Sequence, residues 1–323
     1  MRALVTGASG LLGGSVAAAL LAQGHEVRTF QRRPSGVAGA QDHRGDLSRA
    51  DDVAAAVRDV DVVVHLAAKV SVSGPEEEYR RANVEGTRGL LGAARAAGVT
   101  RFVQVSSPSV AHTGRAIVGD DAGPAQPERA RGPYARSKAA AELLALAADS
   151  AAMPVVAVRP HVVWGPGDTQ LVERILARSA AGRLPLLSGG HALIDTTYLD
   201  NAAEAIVAAA HRAPQVHGQA FVVSNGEPRT VAEFLGELCR AAGVPAPHRS
   251  VPAGAARAAG ALVERLWAVR PGADEPPMTR FLAEQLSTAH WFDQRRTRRA
   301  LGWAPRVTLE QGFARIAASC RSA

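Results

Sequence analysis

Residues 4–13 read Leu4-Val5-Thr6-Gly7-Ala8-Ser9-Gly10-Leu11-Leu12-Gly13. The apolar run Ala3, Leu4 and Val5 fits a buried strand, and residues 17–21 continue as an apolar helical pattern. A strand, a tight glycine turn and a helix N-terminus in that order bring unpaired N–H groups and the positive end of a helix dipole to one point. There the backbone can approach a pyrophosphate closely. Spaced glycines are weak evidence in a chain that holds 31 of them. Their position directly after a predicted strand gives the match its weight, against the plainer alternative of a turn kept for helix–strand packing. The expectation is a dinucleotide site using Gly7, Ser9, Gly10, Leu11, Leu12 and Gly13.

Residues 26–30 form a predicted second strand, and the residues at its end select the nucleotide. An acidic residue there accepts hydrogen bonds from an adenosine 2′-hydroxyl. This chain has Gln31, Arg32 and Arg33, and two guanidinium groups after a neutral residue suit a 2′-phosphate. NADP(H) is therefore expected over NAD(H). A short strand then leads to Asp46 and Leu47, a helix over 52–60 and a strand over 61–65. Leu66, Ala67 and Ala68 are small and apolar where the chain passes over the cofactor, and Lys69 comes next. A long helix over 76–97 carries Asn83, Gly86 and Thr87. A strand over 102–105 ends in Ser106-Ser107-Pro108-Ser109. Residues 111–132 are polar and read as a loop. Pro133 suits the first turn of a helix, which carries Tyr134, Ser137 and Lys138. A strand over 155–159 runs into Pro160 and His161. Strand–helix alternation over this length predicts an α/β fold with a doubly wound parallel sheet.

Past Trp164 the pattern changes. Helices are expected over 171–181, 201–211, 230–242 and 252–269, with short strands within 184–197 and at 220–223, and a breaker at 271–277. The apolar positions Leu262, Val263, Leu266, Trp267, Phe281, Leu282, Leu286, Trp291 and Phe292 lie along this course. The expected division is residues 1–165, with 192–224, as the nucleotide-binding domain. Residues 166–191 and 225–323 would form a smaller C-terminal lobe that closes over a substrate pocket.

A chain of 323 residues that is 47% hydrophobic supports a sizeable core. No apolar run reaches about 18 residues, so no spanning helix is expected, with peripheral membrane contact left open. The N-terminus enters a strand at once, which leaves no room for a signal peptide. Cys239 and Cys320 are too few for a disulfide framework or a cysteine metal site. The expectation is a cytoplasmic protein without a metal. The net charge of +7 reads as solvated arginines. The densest basic run, Arg295, Arg296, Arg298 and Arg299, has no interleaved aromatics, so nucleic acid is not an expected partner. Lysine occurs only at Lys69 and Lys138; in so arginine-biased a chain, a compact titratable ammonium marks a position of interest.

Tyr134 and Lys138 are four apart on one helix and share a face. A phenol titrates at about 10, and a nearby ammonium is expected to lower that by about 1–3 units. Such a tyrosine gives or takes a proton near neutral pH. Ser107, at a neighbouring strand end, is placed to hydrogen-bond the reacting oxygen. Ser106 is the alternative, and strand alternation points the two hydroxyls to opposite sides. With a nicotinamide, Ser107, Tyr134 and Lys138 make a hydride-transfer site.

Several motifs together carry a family resemblance: Thr6-Gly7-x-x-Gly10-x-x-Gly13, His65-Leu-Ala-Ala68, Asn83-Val-x-Gly-Thr87, Ser106-Ser107, Pro133-Tyr134-x-x-Ser137-Lys138 and Arg159-Pro160…Gly165-Pro166-Gly167. The chain resembles the extended short-chain dehydrogenase/reductases over nearly its whole length. The resemblance implies a Rossmann sheet and catalytic roles for Ser107, Tyr134 and Lys138. It places Asp46 and Leu47 near the adenine, Leu66, Ala67, Ala68 and Val105 along the cofactor, and Pro160 and Val163 near the carboxamide. Tyr198-Leu-Asp-Asn201, Ser224-Asn-Gly-Glu-Pro228, Pro277-Met-Thr-Arg-Phe281 and Leu301-Gly-Trp303 are similar to the 3β-hydroxysteroid dehydrogenase branch. Ser106-Ser-Pro-Ser-Val110, Arg159-Pro-His-Val-Val-Trp-Gly-Pro166 and His290-Trp-Phe-Asp293 look like the bacterial 2-alkyl-3-oxoalkanoate reductases of olefin biosynthesis.

On that footing the expected substrate residues are Lys69, Ser109, His161 and Trp164. Lys69 would pair with the carboxylate of a β-keto acid. Trp164 stands where tyrosine is commoner, which speaks against a sugar nucleotide. The expected activity is interconversion of a ketone and a secondary alcohol on a hydrophobic β-keto acid or sterol-like substrate, by a homodimer. The alternatives are a sugar-nucleotide epimerase or dehydratase of the same fold, and a non-catalytic NADP-binding regulator.

Overall fold

The structure is a computed structural model, in which residues 1–70, 74–268 and 280–322 are described. The expected breaker at 271–277 lies outside the described residues, as do the side chains of Leu266, Trp267, Phe281 and Leu282.

The first half alternates as expected: β1 (Arg2–Thr6), α1 (Leu11–Ala22), β2 (Glu26–Gln31), β3 (Gln41–Arg44), α2 (Ala50–Ala56) and β4 (Val62–His65). Next come α3 (Glu76–Tyr79), α4 (Gly86–Ala96), β5 (Arg101–Val105), β6 (Ile117–Asp120), α5 (Gly132–Ala147), β7 (Val155–Pro160) and β8 (Val163–Trp164). The second half holds α6 (Val172–Ala180), β9 (Leu186–Leu187), β10 (Leu193–Ile194), β11 (Thr197–Tyr198), α7 (Leu199–Val216), β12 (Gln219–Val223) and β13 (Arg229–Thr230). It continues through α8 (Val231–Ala241), β14 (Ser250–Val251), α9 (Ala253–Ala268), α10 (Arg280–Ser287), β15 (His290–Phe292), α11 (Arg295–Leu301) and α12 (Leu309–Ser322).

Seven strands form one parallel sheet in the order β12-β7-β5-β4-β1-β2-β3. Side-chain alternation along each strand builds two cores. Ala3, Val5, Val62, Val64, Val103 and Val105 face α1 and α7 on one side. Leu4, Val63, Phe102 and Val155 face α2, α4 and α5 on the other. Continuous β-branched runs such as Val62-Val63-Val64 are what a strand buried on both faces requires. The strand order reverses between β1 and β4, which opens a crevice at their carboxyl ends.

Two departures from the sequence reading matter for the site. The helix expected over 76–97 is one rod interrupted by a π-helical turn at Arg80–Glu85, which joins α3 to α4. The expected loop over 111–132 contains β6, which pairs with β15 in a second sheet of order β13-β10-β15-β6. Residues separated by more than 160 positions thus meet above the carboxyl end of the main sheet. No helix among the described residues is long and apolar enough to cross a membrane.

Candidate active site

The glycine turn opens the crevice. Gly7 sits at φ 76°, in the left-handed region that favours glycine. A Cβ on Gly13 would lie 2.3 Å from the Gly7 carbonyl oxygen, so helix and turn close on each other only through glycine. Gly10 differs: a Cβ there would meet only the Gly7 oxygen, at an ordinary 3.4 Å. Its missing side chain leaves open the approach to the first turn of α1, whose N–H groups are uncapped by any side chain. This cradle fits a pyrophosphate, with Ser9, Gly10 and Leu11 exposed at its mouth and Leu12 half-buried behind them.

A closed hydrogen-bond network fixes the neighbouring loop. Thr6 Oγ1 accepts from the Leu66 and Ala67 N–H groups at 3.2 and 3.1 Å. Its own proton therefore goes to His65 Nδ1 at 2.7 Å, and His65 Nε2 donates to Thr87 Oγ1 at 3.0 Å. Thr87 in turn donates to the Asn83 carbonyl at 2.6 Å. Burial, aided by the Lys138 charge, holds the His65 imidazole down at about 3, so it stays neutral and keeps this tautomer. Asn83, in the π-helical turn, accepts from Lys69 N–H at 2.7 Å and donates to the Lys69 carbonyl at 3.1 Å and to Ser137 Oγ at 2.9 Å. Ser137 donates to the Tyr134 carbonyl at 2.8 Å. The loop carrying Leu66, Ala67 and Ala68 is thereby tied to the helix carrying Tyr134 and Lys138.

Ser107, Ser109, Tyr134 and His161 line one cavity of about 180 Å³, with Pro108, His112, Ile117, Val162, Gln285, His290 and Phe292. Ser109 Oγ donates to Ser107 Oγ at 2.9 Å, and Ser107 lies near enough to the Tyr134 phenol to favour its ionised form. Ser106 is the serine set aside: its hydroxyl is buried without a protein partner and lines no part of this cavity. Lys138 is buried, and its ammonium donates to the Val105 carbonyl at 2.5 Å. Burial lowers Lys138 to about 8, with Glu142 acting in the opposite direction. The expectation that Lys138 lowers the phenol is corrected here. Burial pushes Tyr134 up to about 12, only the neighbouring Ser107 pulls it down, and the ammonium is turned to Val105.

Pro160 is buried, and Val163 is half-buried and paired with Thr197. Between them Val162 adopts φ 43°, a left-handed conformation that costs a β-branched residue about 1–3 kcal/mol. The Thr197 N–H and hydroxyl hold this turn, donating to the Val162 carbonyl at 3.1 Å and the His161 carbonyl at 2.7 Å.

Two expected substrate residues are elsewhere. Lys69 pairs with Glu78 at 3.0 Å and sits over the Tyr79 ring, because the adjacent helix presents a carboxylate to it. Trp164 is wholly buried, donates to Thr196 Oγ1 at 3.0 Å and stacks on Phe313 at 4.9 Å, so it belongs to the apolar core of the C-terminal half.

At the far end of the crevice Arg32, Arg44, Gly45, Asp46, Arg49 and Asp52 line an open basin of about 480 Å³. Hydrogen bonds from Ser48 and the charges of Arg32 and Arg49 hold the Asp46 carboxyl below its ordinary value. Leu47 packs beneath, against the core. Arg33 is exposed outside this basin; Arg44 and Arg49, which the sequence reading did not single out, stand in its place. His112, Gln285 and His290 were missed as well. Only His290 left a signal, as the first residue of the His290–Asp293 motif, with no role attached to it.

The fold class is that of the nucleotide-binding α/β enzymes. Residues 3–224 match the NAD dependent epimerase/dehydratase family. A 2-alkyl-3-oxoalkanoate reductase of Stenotrophomonas maltophilia (strain K279a) is 42% identical over 328 residues, 99% of this chain and 99% of that one. A 3-beta-hydroxysteroid dehydrogenase of Mycolicibacterium neoaurum is 33% identical, over 97% of this chain and 89% of its own length. Among solved structures, MoeE5 in complex with UDP-glucose and NAD matches with a TM-score of 0.76 at 25% identity, over 100% of this chain and 99% of that chain. The chain belongs to the NAD dependent epimerase/dehydratase family, as an extended short-chain dehydrogenase/reductase.

Proposed function

We propose that this protein is an NADPH-dependent reductase of hydrophobic β-keto acids of the 2-alkyl-3-oxo type. The chain is a ketone–alcohol oxidoreductase. The observation that carries the reading is a serine and a tyrosine, Ser107 and Tyr134, lining one small cavity with a mostly apolar wall, the tyrosine one helical turn from a buried lysine. When bound, the nicotinamide supplies a hydride to the ketone carbon or accepts one from the alcohol. Ser107 orients the carbonyl oxygen, and Tyr134 donates the proton that the oxygen gains on reduction. A phenol held at about 12 is fully protonated across the neutral range, which suits the acid's part in reduction. Lys138 spends one N–H on Val105 and keeps two for the nicotinamide ribose. Arg32, Arg44 and Arg49 support NADP(H) over NAD(H), since guanidinium groups hold a 2′-phosphate by charge-assisted hydrogen bonds.

The test is a panel of a 2-alkyl-3-oxo acid, a sterol and a sugar nucleotide, each assayed with NADPH and with NADH by the absorbance of the reduced nicotinamide. Turnover of the keto acid is expected, with NADPH preferred at least about tenfold, the worth of ~1.4 kcal/mol. Epimerisation of the sugar nucleotide, with tightly bound NAD⁺ surviving purification, would replace this reading with the epimerase.

A further inference from the structure

Three histidines meet in the cavity from three distant segments: His112 after Ser109, His161 at the end of β7, and His290 on β15. All three are at least nine-tenths buried, at 2%, 6% and 3% exposure. The His290 ring lies edge-on to His112 at 6.3 Å and to His161 at 5.0 Å. Both ring nitrogens of His112, and Nδ1 of His161 and of His290, have no hydrogen-bond partner in the protein. Packing alone does not select four such atoms at one spot, because a buried polar atom is unfavourable until something bonds it. Among the described residues, no lysine or arginine lines this cavity.

We infer that His112, His161 and His290 form the subsite that takes the carboxyl group of a β-keto acid, admitting it together with one proton. This rests on the keto-acid reading of the substrate under Proposed function. In such an acid the carboxyl carbon is two bonds from the ketone carbon. When the ketone oxygen meets Ser107 and Tyr134, the carboxyl must therefore lie in the same cavity, where the imidazoles carry most of the remaining polar lining. His290 fixes the proton count. Its Nε2 contacts the Gln285 carbonyl at 2.5 Å, and a carbonyl only accepts, so Nε2 carries the hydrogen and Nδ1 is a lone pair. A lone pair repels a carboxylate; a proton between them turns that contact into a hydrogen bond. Burial holds all three imidazoles below their ordinary value, so they enter the complex neutral. The charges bearing on His112 are Glu284 on α10, which favours a proton there, and Arg131 ahead of α5, which opposes it. His161 meets Asp195 through the backbone, and Tyr134 is neutral.

The experiment uses decanoate and methyl decanoate as probes of the NADPH complex. Calorimetry in two buffers of different ionisation enthalpy counts protons directly and needs no turnover. Uptake of about one proton with decanoate is expected, with an affinity that falls about tenfold per pH unit above neutrality, and a pH-independent response to the ester. In His112→Phe and in His290→Phe, each checked by thermal melting, the ratio of kcat/KM for a 2-alkyl-3-oxo acid to that for its methyl ester should fall about tenfold or more, roughly one charge-assisted contact. Decanoate binding without proton uptake, or equal losses for acid and ester, would overturn the subsite. Decanoate binding with proton uptake in a protein that reduces no keto acid would instead keep the subsite and remove the proposed reaction.

Discussion

Around Thr6, His65, Thr87 and Asn83, hydrogen-bonding side chains are paired with one another in a chain that closes on Ser137. Around His112, His161 and His290, four ring nitrogens have no protein partner, and the neighbouring Val162 holds a strained backbone. The first region has its bonding settled before any ligand arrives, which suits one invariant nucleotide. The second keeps its bonding capacity in reserve, which suits recognition of a particular acceptor. Tyr134 and Lys138 stand where the two meet.

The sharpest test of that junction is Tyr134→Phe. Removing the proton donor should lower kcat by roughly 10²–10⁴-fold while nucleotide affinity is kept. Steady-state kinetics beside a fluorescence titration with NADPH measures both. Retained turnover would move the proton transfer elsewhere, with the cavity histidines next in line.

Lys138 gives the next effect, on stability and with a definite sign. Its folded value of about 8 lies below the ordinary 10.5, so charging it in the fold is unfavourable. That cost is present in full below pH 8 and is relieved as pH rises from 8 to 10.5. Lys138→Met should therefore gain on the order of 2–3 kcal/mol at pH 7 and less at higher pH, while activity is lost. Urea melts at pH 7 and 9.5 report the difference. A variant no more stable than the parent at pH 7 would show that the ammonium's contacts meet its desolvation in full.

Asn83→Ala probes the paired region itself. It strands the Lys69 N–H and carbonyl, and should cost about 2 kcal/mol in stability. Thermal melting that leaves this variant unchanged would erase the contrast between the two regions.

The frame around the paired region was legible in sequence because it is local. Gly7, Gly10 and Gly13 fall within one strand–helix connection, and Tyr134 and Lys138 are four apart on one helix and share a face. The apolar run Ala3-Leu4-Val5 ahead of the glycines declared a buried strand, and the strand–helix alternation after it declared the doubly wound sheet. The cavity was not legible in the same way. His112 sits in a polar stretch with no periodicity, and it reaches His290 only because β6 pairs with β15. Strands of four and three residues leave no alternation to read. Lys69 misled for a related reason. A carboxylate at Glu78, nine residues on, pairs with the ammonium. Trp164 misled because its neighbours Tyr198 and Phe313 are far along the chain, on β11 and α12.

The crossing of β15 beside β6 also has a meaning in time. During synthesis the glycine turn, the Thr6–Asn83 network and the Tyr134 helix all leave the ribosome before residue 150, whereas Gln285, His290 and Phe292 emerge well over a hundred residues later. A nascent chain thus carries the glycine turn and Tyr134 long before it owns this wall of the cavity. Changes in the late segment reshape that wall without touching the part of the chain that is made first.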